Sequence, residues 1–456
     1  MRLPYLLALL IAIVACRIFS AAPASALDLT AKIDPLAQPL IEDGQVVGLV
    51  IGVFRDGETQ ILAYGETRKG SGEKPTGRTV YEIGSVTKAI TGILLADMVR
   101  RGELKLDAPL QSLLPVDVKL DVFDGKPITL EQVATQVSGL PRMPDNFAPA
   151  DPLNPYVDYS PELMYEFLGK HKLRRAPGKY EYSNLAMGLL GHELARRRKQ
   201  SYEQLFVERI ARPLMMDDTR IALGADQARR LAKPYNAALG PVKNWDTPTL
   251  AGAGAIRSTV GDMLKFVAAN LADNDEPLTQ SLRLAREKRA TGDGPAMGLG
   301  WHIARDGFTV WHNGMTGGYA SWVSVVPDHD FGVVVLSNTA TDKITELGTQ
   351  LTRVAFGIDV PPPKRRTVVA VPLATLNSYE GTYALSPVFA LTVTVEEGKL
   401  MVQATGQQKL EVFAESPTKF FYKVVDAELT FEPAKDGKAE SVTLHQNGLN
   451  QKAKRK

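Results

Sequence analysis

The chain has 456 residues, 44% hydrophobic and 23% charged, with 53 Lys and Arg against 51 Asp and Glu and a formal net charge of +2. That length is ample for more than one core, and the near-balanced charge argues against a dedicated nucleic-acid surface. The one dense basic run, Lys452 to Lys456, reads as a solvated tail.

The first elements are an Arg2, an apolar stretch from Leu3 to Ala15, and "APASALD", in which Ala24-Ser25-Ala26 is a small-x-small cleavage pattern. This predicts a signal peptide over 1–26, an exported chain and a mature start at Leu27. The apolar run is short for a bilayer span. "IVAC", ending at Cys16, leaves open the alternative of a lipoprotein anchored at Cys16, which would be the one route to membrane association. Cys16 is the sole cysteine, so cleavage at Ala26 leaves no thiol for disulfides, zinc sites or nucleophilic chemistry.

"VVGLVIGVFRDGETQILAYGE" predicts two strands joined by a tight turn at Asp56-Gly57. From Ser85 the apolar positions Ile90, Ile93, Leu94 and Met98 follow helical spacing, with Arg100 and Arg101 in the last turn and Gly102 as the stop. Residues 105–305 alternate helices with Pro/Gly-rich loops, among them helices at Ser201–Arg212 and one opening at Thr259-Val260-Gly261-Asp262, a capping-box pattern. Strand character returns at "FTVWHNG", "YASWVSVVPD" and "FGVVVLSN". Strands at both ends with helices between predict one sheet assembled from both ends of an α/β (α+β) domain, residues 27–358. "DVPPPKRRTVVAVPL" predicts a linker over 359–373. Residues 374–456 then alternate short strands with Gly-, Asp- and Pro-bearing turns, the pattern of a small all-β barrel or sandwich.

The tetrapeptide Ser-x-x-Lys occurs at Ser71–Lys74, Ser85–Lys88 and Ser416–Lys419. Only Ser85 opens a convincing helix. Residues three apart share a helix face, so the Lys88 amine can reach the Ser85 hydroxyl, and the helix tip offers N–H groups for an oxyanion. Taken alone, the same residues read more simply as an N-cap and a surface lysine. Two further motifs bear on the choice: Tyr182-Ser183-Asn184 before another apolar helix, and His312-Asn313-Gly314 ending a strand. Singly, Tyr182 reads as a core tyrosine, Asn184 as a helix cap and His312 as a satisfied strand-end histidine. In order and together they are harder to dismiss. There is no Gly-x-Ser-x-Gly elbow, no His-x-x-x-His pair and no phosphate-loop motif, so no metal or cofactor is expected. "AGAGAIRS" (251–258) reads as a tight turn needing backbone freedom.

With these three motifs, residues 30–350 resemble the class C β-lactamase-like serine hydrolases, the penicillin-recognising family of DD-peptidases, D-aminopeptidases, esterases and β-lactamases. "ITLEQVATQVSGLPRMP", "PLMMDDTRI" and "AGAGAIRSTVGDMLKF" look like that family's connecting segments. The resemblance implies an antiparallel sheet flanked by helices. It also implies Ser85 as acylated nucleophile, Lys88 as proton acceptor and Tyr182 as second acid or base. Asn184 would hydrogen-bond the substrate amide, His312-Asn313-Gly314 would be a strand edge for the substrate, and the N–H groups of Ser85 and Met315 would form the oxyanion hole. The His-x-Gly motif replaces Lys-Thr-Gly, removing a permanent cation and pointing to peptidases rather than efficient lactamases. Asn313, lacking a hydroxyl, and Gln136, where relatives often carry His, are further departures. The implied partners are a small peptide, peptidoglycan or a β-lactam in the periplasm or outside the cell. Esterase, weak β-lactamase and non-turnover sensor remain alternatives, and self-association is left open.

Overall fold

The computed structural model describes residues 27–289, 294–362, 367–423, 425, 427–432, 437–446 and 448–456. The expected signal peptide, Cys16 and the centre of the expected linker lie outside the described residues.

The Asp-Gly signal is realised as a two-residue hairpin. Strands β1 (Gly48–Arg55) and β2 (Glu58–Gly65) pair antiparallel with Arg55 opposite Glu58. Asp56 and Gly57 take φ of 51° and 82°, the left-handed pair that matches strand twist. Five later strands complete the sheet: β3 (Ala296–Met297), β4 (His302–Ile303), β5 (Val310–Met315), β6 (Ala320–Val326) and β7 (Phe331–Ser337). The order is β2-β1-β7-β6-β5-β4-β3, antiparallel throughout. Leu49 opposite Ser337 and Arg55 opposite Phe331 join the chain's early and late strands.

β6 and β7 are buried at every position, which explains why they read as near-continuous Val-rich runs: helices cover both faces. On one face α1 (Thr30–Glu42) and α6 (Lys343–Ala355) close a core with Trp322, Val333 and Val335. On the other lies α5 (Val260–Leu271), packed on β1 and β7, and beyond it the larger core built around α2 (Thr87–Arg100) and α3 (Asn184–Arg197). The α2 residues Thr87 to Met98 are all buried, so this is a central helix enclosed on all sides rather than an amphipathic surface helix. Gly102 ends it at φ 71°, with its N–H donating to the Val99 carbonyl.

Local signals elsewhere hold with adjustments. Ser201 caps its helix in a reciprocal box with Gln204, but after Phe206 the backbone widens, the Arg212 N–H reaching back five residues to the Val207 carbonyl. Thr259 caps α5 through the Asp262 N–H. "AGAG" is a single helical turn, α4 (Ala251–Gly254), rather than a loop of special backbone angles. Its small residues serve close approach to α3, where a Cβ on Gly252 would lie 2.8 Å from Gly191 Cα.

The C-terminal unit is a closed eight-stranded antiparallel barrel running from Gly381 to Arg455, sealed where Tyr383 and Ala384 pair with Arg455 and Lys454. Tyr379, Tyr383, Phe420 and Phe431 fill it. Within the expected linker, Val369 already donates its N–H to Ala414 of the barrel, and the helix Leu373–Tyr379 follows.

Candidate active site

The three Ser-x-x-Lys tetrapeptides have different environments. Ser71 Oγ donates to the Arg68 carbonyl in a surface loop. Ser416 Oγ receives the Lys419 N–H, and the Lys419 amine pairs with Glu428 and Glu415, which hold its pKa above the ordinary lysine value. Ser85 sits in a tight turn, Gly84–Val86, ahead of α2, where Val86 holds the cap position without any side-chain capping bond. Its hydroxyl instead meets Lys88, whose Nζ lies 2.9 Å from Ser85 Oγ and donates to the Ala253 carbonyl at 2.7 Å. The cap reading fails.

Lys88 is fully buried. Among the described residues no carboxylate balances it, and desolvation, helped by the Arg142 charge, lowers its pKa well below the ordinary 10.5. The result is an amine whose charged form is disfavoured, in contact with an alcohol.

Tyr182 lies immediately before α3, with the Lys88 amine 4.7 Å from its ring centroid. Burial raises its hydroxyl pKa, opposed by hydrogen bonding with Ser85 and by Arg142. The Tyr182 loop is held from below by Gln136: its Oε1 accepts the Ser183 N–H at 2.6 Å and its carbonyl accepts the Glu181 N–H at 2.8 Å. Gln136 is buried, with φ of 61°, an uncommon angle for a residue with a Cβ. Ser183, rather than Asn184, caps α3, its Oγ receiving the Ala186 N–H. Asn184 is therefore free to line the cleft, where its Nδ2 approaches Tyr156 Oη at 3.4 Å.

β5 forms the opposite wall. β4 pairs only with Val310 and Trp311, so beyond Trp311 the β4 side of the strand is uncovered by β4, beside the cleft. Alternation along β5 sends Trp311, Asn313 and Met315 to the more exposed side and buries His312 and Gly314. His312 is thus packed against His302 and Tyr182, at ring-centroid distances of 4.9 and 6.3 Å, instead of lining the cleft. Its Nδ1–H donates to the Asn313 carbonyl at 2.5 Å, and burial holds its pKa well below the usual histidine value. It is neutral at pH 7 and supplies no cation. Asn313 Nδ2 donates to Thr345 Oγ1 of α6 at 3.1 Å.

Two glycines bring the nucleophile turn and β5 together. Gly84 has φ of 48°, and a Cβ there would sit 2.8 Å from Met315 N. A Cβ on Gly314 would lie 2.1 Å from the Ile83 carbonyl oxygen and 3.0 Å from Ser85 N. The nucleophile turn and the end of β5 are therefore in close backbone contact, and Ser321 Oγ pins the turn by donating to the Ile83 carbonyl at 2.8 Å.

Ser85, Tyr182, Asn184, Asn313, Gly314 and Met315 border a cleft of about 510 Å³. Sequence reasoning missed part of its lining: Arg142, Tyr156, Tyr180, Trp245, His302 and Trp311. His302 stacks on Trp311 at 4.6 Å and parallel to Tyr182 at 6.4 Å, and burial beside Lys88 pushes its pKa down to about 4. Arg142 stands in the quoted "SGLPRMP", but its place beside Tyr182 depends on a contact between distant segments, with the Asn184 N–H donating to the Arg142 carbonyl at 3.0 Å.

Comparisons with known proteins agree with this architecture. The family model described as Beta-lactamase matches residues 33–355, and a domain of unknown function (DUF3471) matches 365–455. The D-alanyl-D-alanine-carboxypeptidase/endopeptidase AmpH of Escherichia coli (strain K12) is 32% identical over 346 residues, covering 70% of this chain and 88% of that protein. A β-lactamase of Pseudomonas fluorescens is 28% identical, covering 69% of this chain and 94% of its own. Among solved structures, a β-lactamase/D-alanine carboxypeptidase from Yersinia pestis complexed with citrate shares the fold, with a TM-score of 0.64, 24% identity and coverage of 72% of this chain and 98% of its own. The family model's span and the AmpH similarity establish that the chain belongs to the β-lactamase family of serine hydrolases.

Proposed function

We propose that the protein is an exported D-alanyl-D-alanine carboxypeptidase or endopeptidase that works through an acyl-enzyme on Ser85. The observation that carries this reading is the buried Lys88 amine 2.9 Å from the Ser85 hydroxyl, its pKa lowered by desolvation. With one hydrogen given to the Ala253 carbonyl, the neutral amine keeps a lone pair for the serine proton. Ser85 Oγ then bonds to the substrate carbonyl carbon. The resulting oxyanion is met by the Ser85 and Met315 N–H groups, an arrangement whose single donors typically contribute about 3 kcal/mol. Tyr182 gives its hydroxyl proton to the leaving amine as the C–N bond breaks and regains one from the Lys88 ammonium, and water subsequently cleaves the ester. Asn184 binds the acyl-side amide, and the free edge of β5 at Asn313 and Gly314 aligns the peptide as an added strand.

The AmpH similarity and the absence of a lysine at position 312 favour peptidase over efficient β-lactamase. The test is a panel of D-Ala-D-Ala peptides, D-amino-acid amides, p-nitrophenyl esters and β-lactams, run with wild type and Ser85→Ala. Release of D-alanine that vanishes in the variant is the expected result. Ester hydrolysis with no peptide turnover would replace this reading with an esterase.

A further inference from the structure

The charge of the cleft is one-sided. Of the residues lining it, Arg142 is the one Lys, Arg, Asp or Glu. No carboxylate among the described residues pairs with it, and its near neighbour Asp145 is engaged by Arg174 at 3.3 Å. The guanidinium carbon lies 5.1 Å from the Tyr182 ring centroid. Its backbone is fixed to the same motif, because the Arg142 carbonyl receives the N–H groups of Asn184 and Leu185 at 3.0 and 3.2 Å, and Ser183 Oγ donates to the Pro141 carbonyl at 2.6 Å. Across the cleft His312 is buried and carries no charge. A substrate anion entering this space meets one permanent cation, held at a defined place beside the reacting groups.

We propose that Arg142 is the specificity-determining residue of the site: it receives a carboxylate of the substrate, so that acyl donors bearing a free carboxylate near the scissile bond are selected over neutral ones. The proposal rests on acylation at Ser85 but not on the leaving group being an amine. Guanidinium–carboxylate pairing is bidentate and directional. Its benefit is greater here because the bound anion also offsets a positive charge standing next to the Lys88 amine.

The experiment uses matched donors, peptides and esters, each as free acid and as methyl-capped form, with the carboxylate on the acyl side in one series and on the leaving side in another. For wild type, kcat/KM for the free acid should exceed that for the capped form by about 30-fold in at least one series, the scale of one charged hydrogen-bonded pair. In Arg142→Gln that ratio should fall to about 1, and in Arg142→Lys it should be intermediate. A second readout is the pH profile: without the Arg142 charge Lys88 holds its proton more firmly, so the acid limb moves to higher pH. Equal losses on free and capped donors in Arg142→Gln, or no free-acid preference in wild type, would overturn the proposal. Should esters react while peptides do not, the peptidase reading fails and the ester series still decides the role of Arg142. Should nothing turn over, acylation rates with a penicillin and its methyl ester, followed by mass, give the same ratio.

Discussion

Substituting Gly314 by Ala places a methyl group where the nucleophile turn meets β5. The new Cβ would stand 2.1 Å from the Ile83 oxygen, against the 3.0 Å below which real Cβ contacts essentially do not occur. Turn and strand must therefore part by about 0.9 Å, the difference of those distances. The displaced segments carry the two amides proposed to meet the oxyanion, and Ser85 N is 3.0 Å from the same methyl. A misplacement of about 1 Å costs on the order of 100-fold in rate, and losing one oxyanion donor costs about 100- to 1,000-fold. The expected fall in the acylation rate constant is of that order, with overpacking lowering stability by about 1–3 kcal/mol. Stopped-flow acylation by a chromogenic β-lactam, well below the variant's melting temperature, measures it. Gly332→Ala is the control for overpacking itself: its Cβ would lie 2.7 Å from the Ser324 oxygen, at the other end of the sheet. The reasoning is refuted if folded Gly314→Ala acylates as fast as Gly332→Ala.

Other expectations follow from the same geometry. Lys88 titrates well below 10.5 in the folded protein, so between its folded and unfolded values the unfolded chain binds the extra proton and stability rises with pH. Lys88→Met removes that dependence, and its melting temperature minus that of wild type, by calorimetry, should decrease as pH rises towards 10.5; a constant difference would mean the amine stays charged in the fold. Gln136→Ala leaves the Ser183 N–H without its acceptor, costing about 1–3 kcal/mol of stability and about tenfold or more in kcat/KM. Gln136→Glu, which keeps an acceptor oxygen, should recover part of both in denaturation and rate assays, and no recovery would contradict the anchoring role. A chain ended at Pro361 should fold and acylate, because the barrel core of Tyr379, Tyr383 and Phe431 is separate from those around α2 and α6; an insoluble or inert product would argue against this.

What the sequence made legible was local. Ser85 and Lys88 lie three residues apart across the turn that opens α2, Asp56-Gly57 is its own turn, and the Val-rich runs of β6 and β7 announce strands. The α/β layout with an all-β appendage and the family followed from such features plus the order of three motifs. What escaped depended on contacts across long stretches of chain. Gln136 reaches Ser183 over 47 residues, and His302 enters the site only because it pairs with Trp311 in the sheet register. His312 was expected within the strand edge that meets the substrate, and strand parity buries its side chain and leaves Asn313 at the cleft. Arg142 gave no local signal, since a cation between two prolines is as ordinary on a surface as in a site.

Acylation of the Ser85 hydroxyl is the central step of the proposed chemistry. Incubating the protein with a labelled penicillin, digesting it and mapping the adduct by mass spectrometry tests that directly. A single adduct on the peptide carrying Ser85, absent in Ser85→Ala and slowed in Lys88→Met, is the predicted result. A hydrolytically active protein with no label, or with label on another residue, would contradict it.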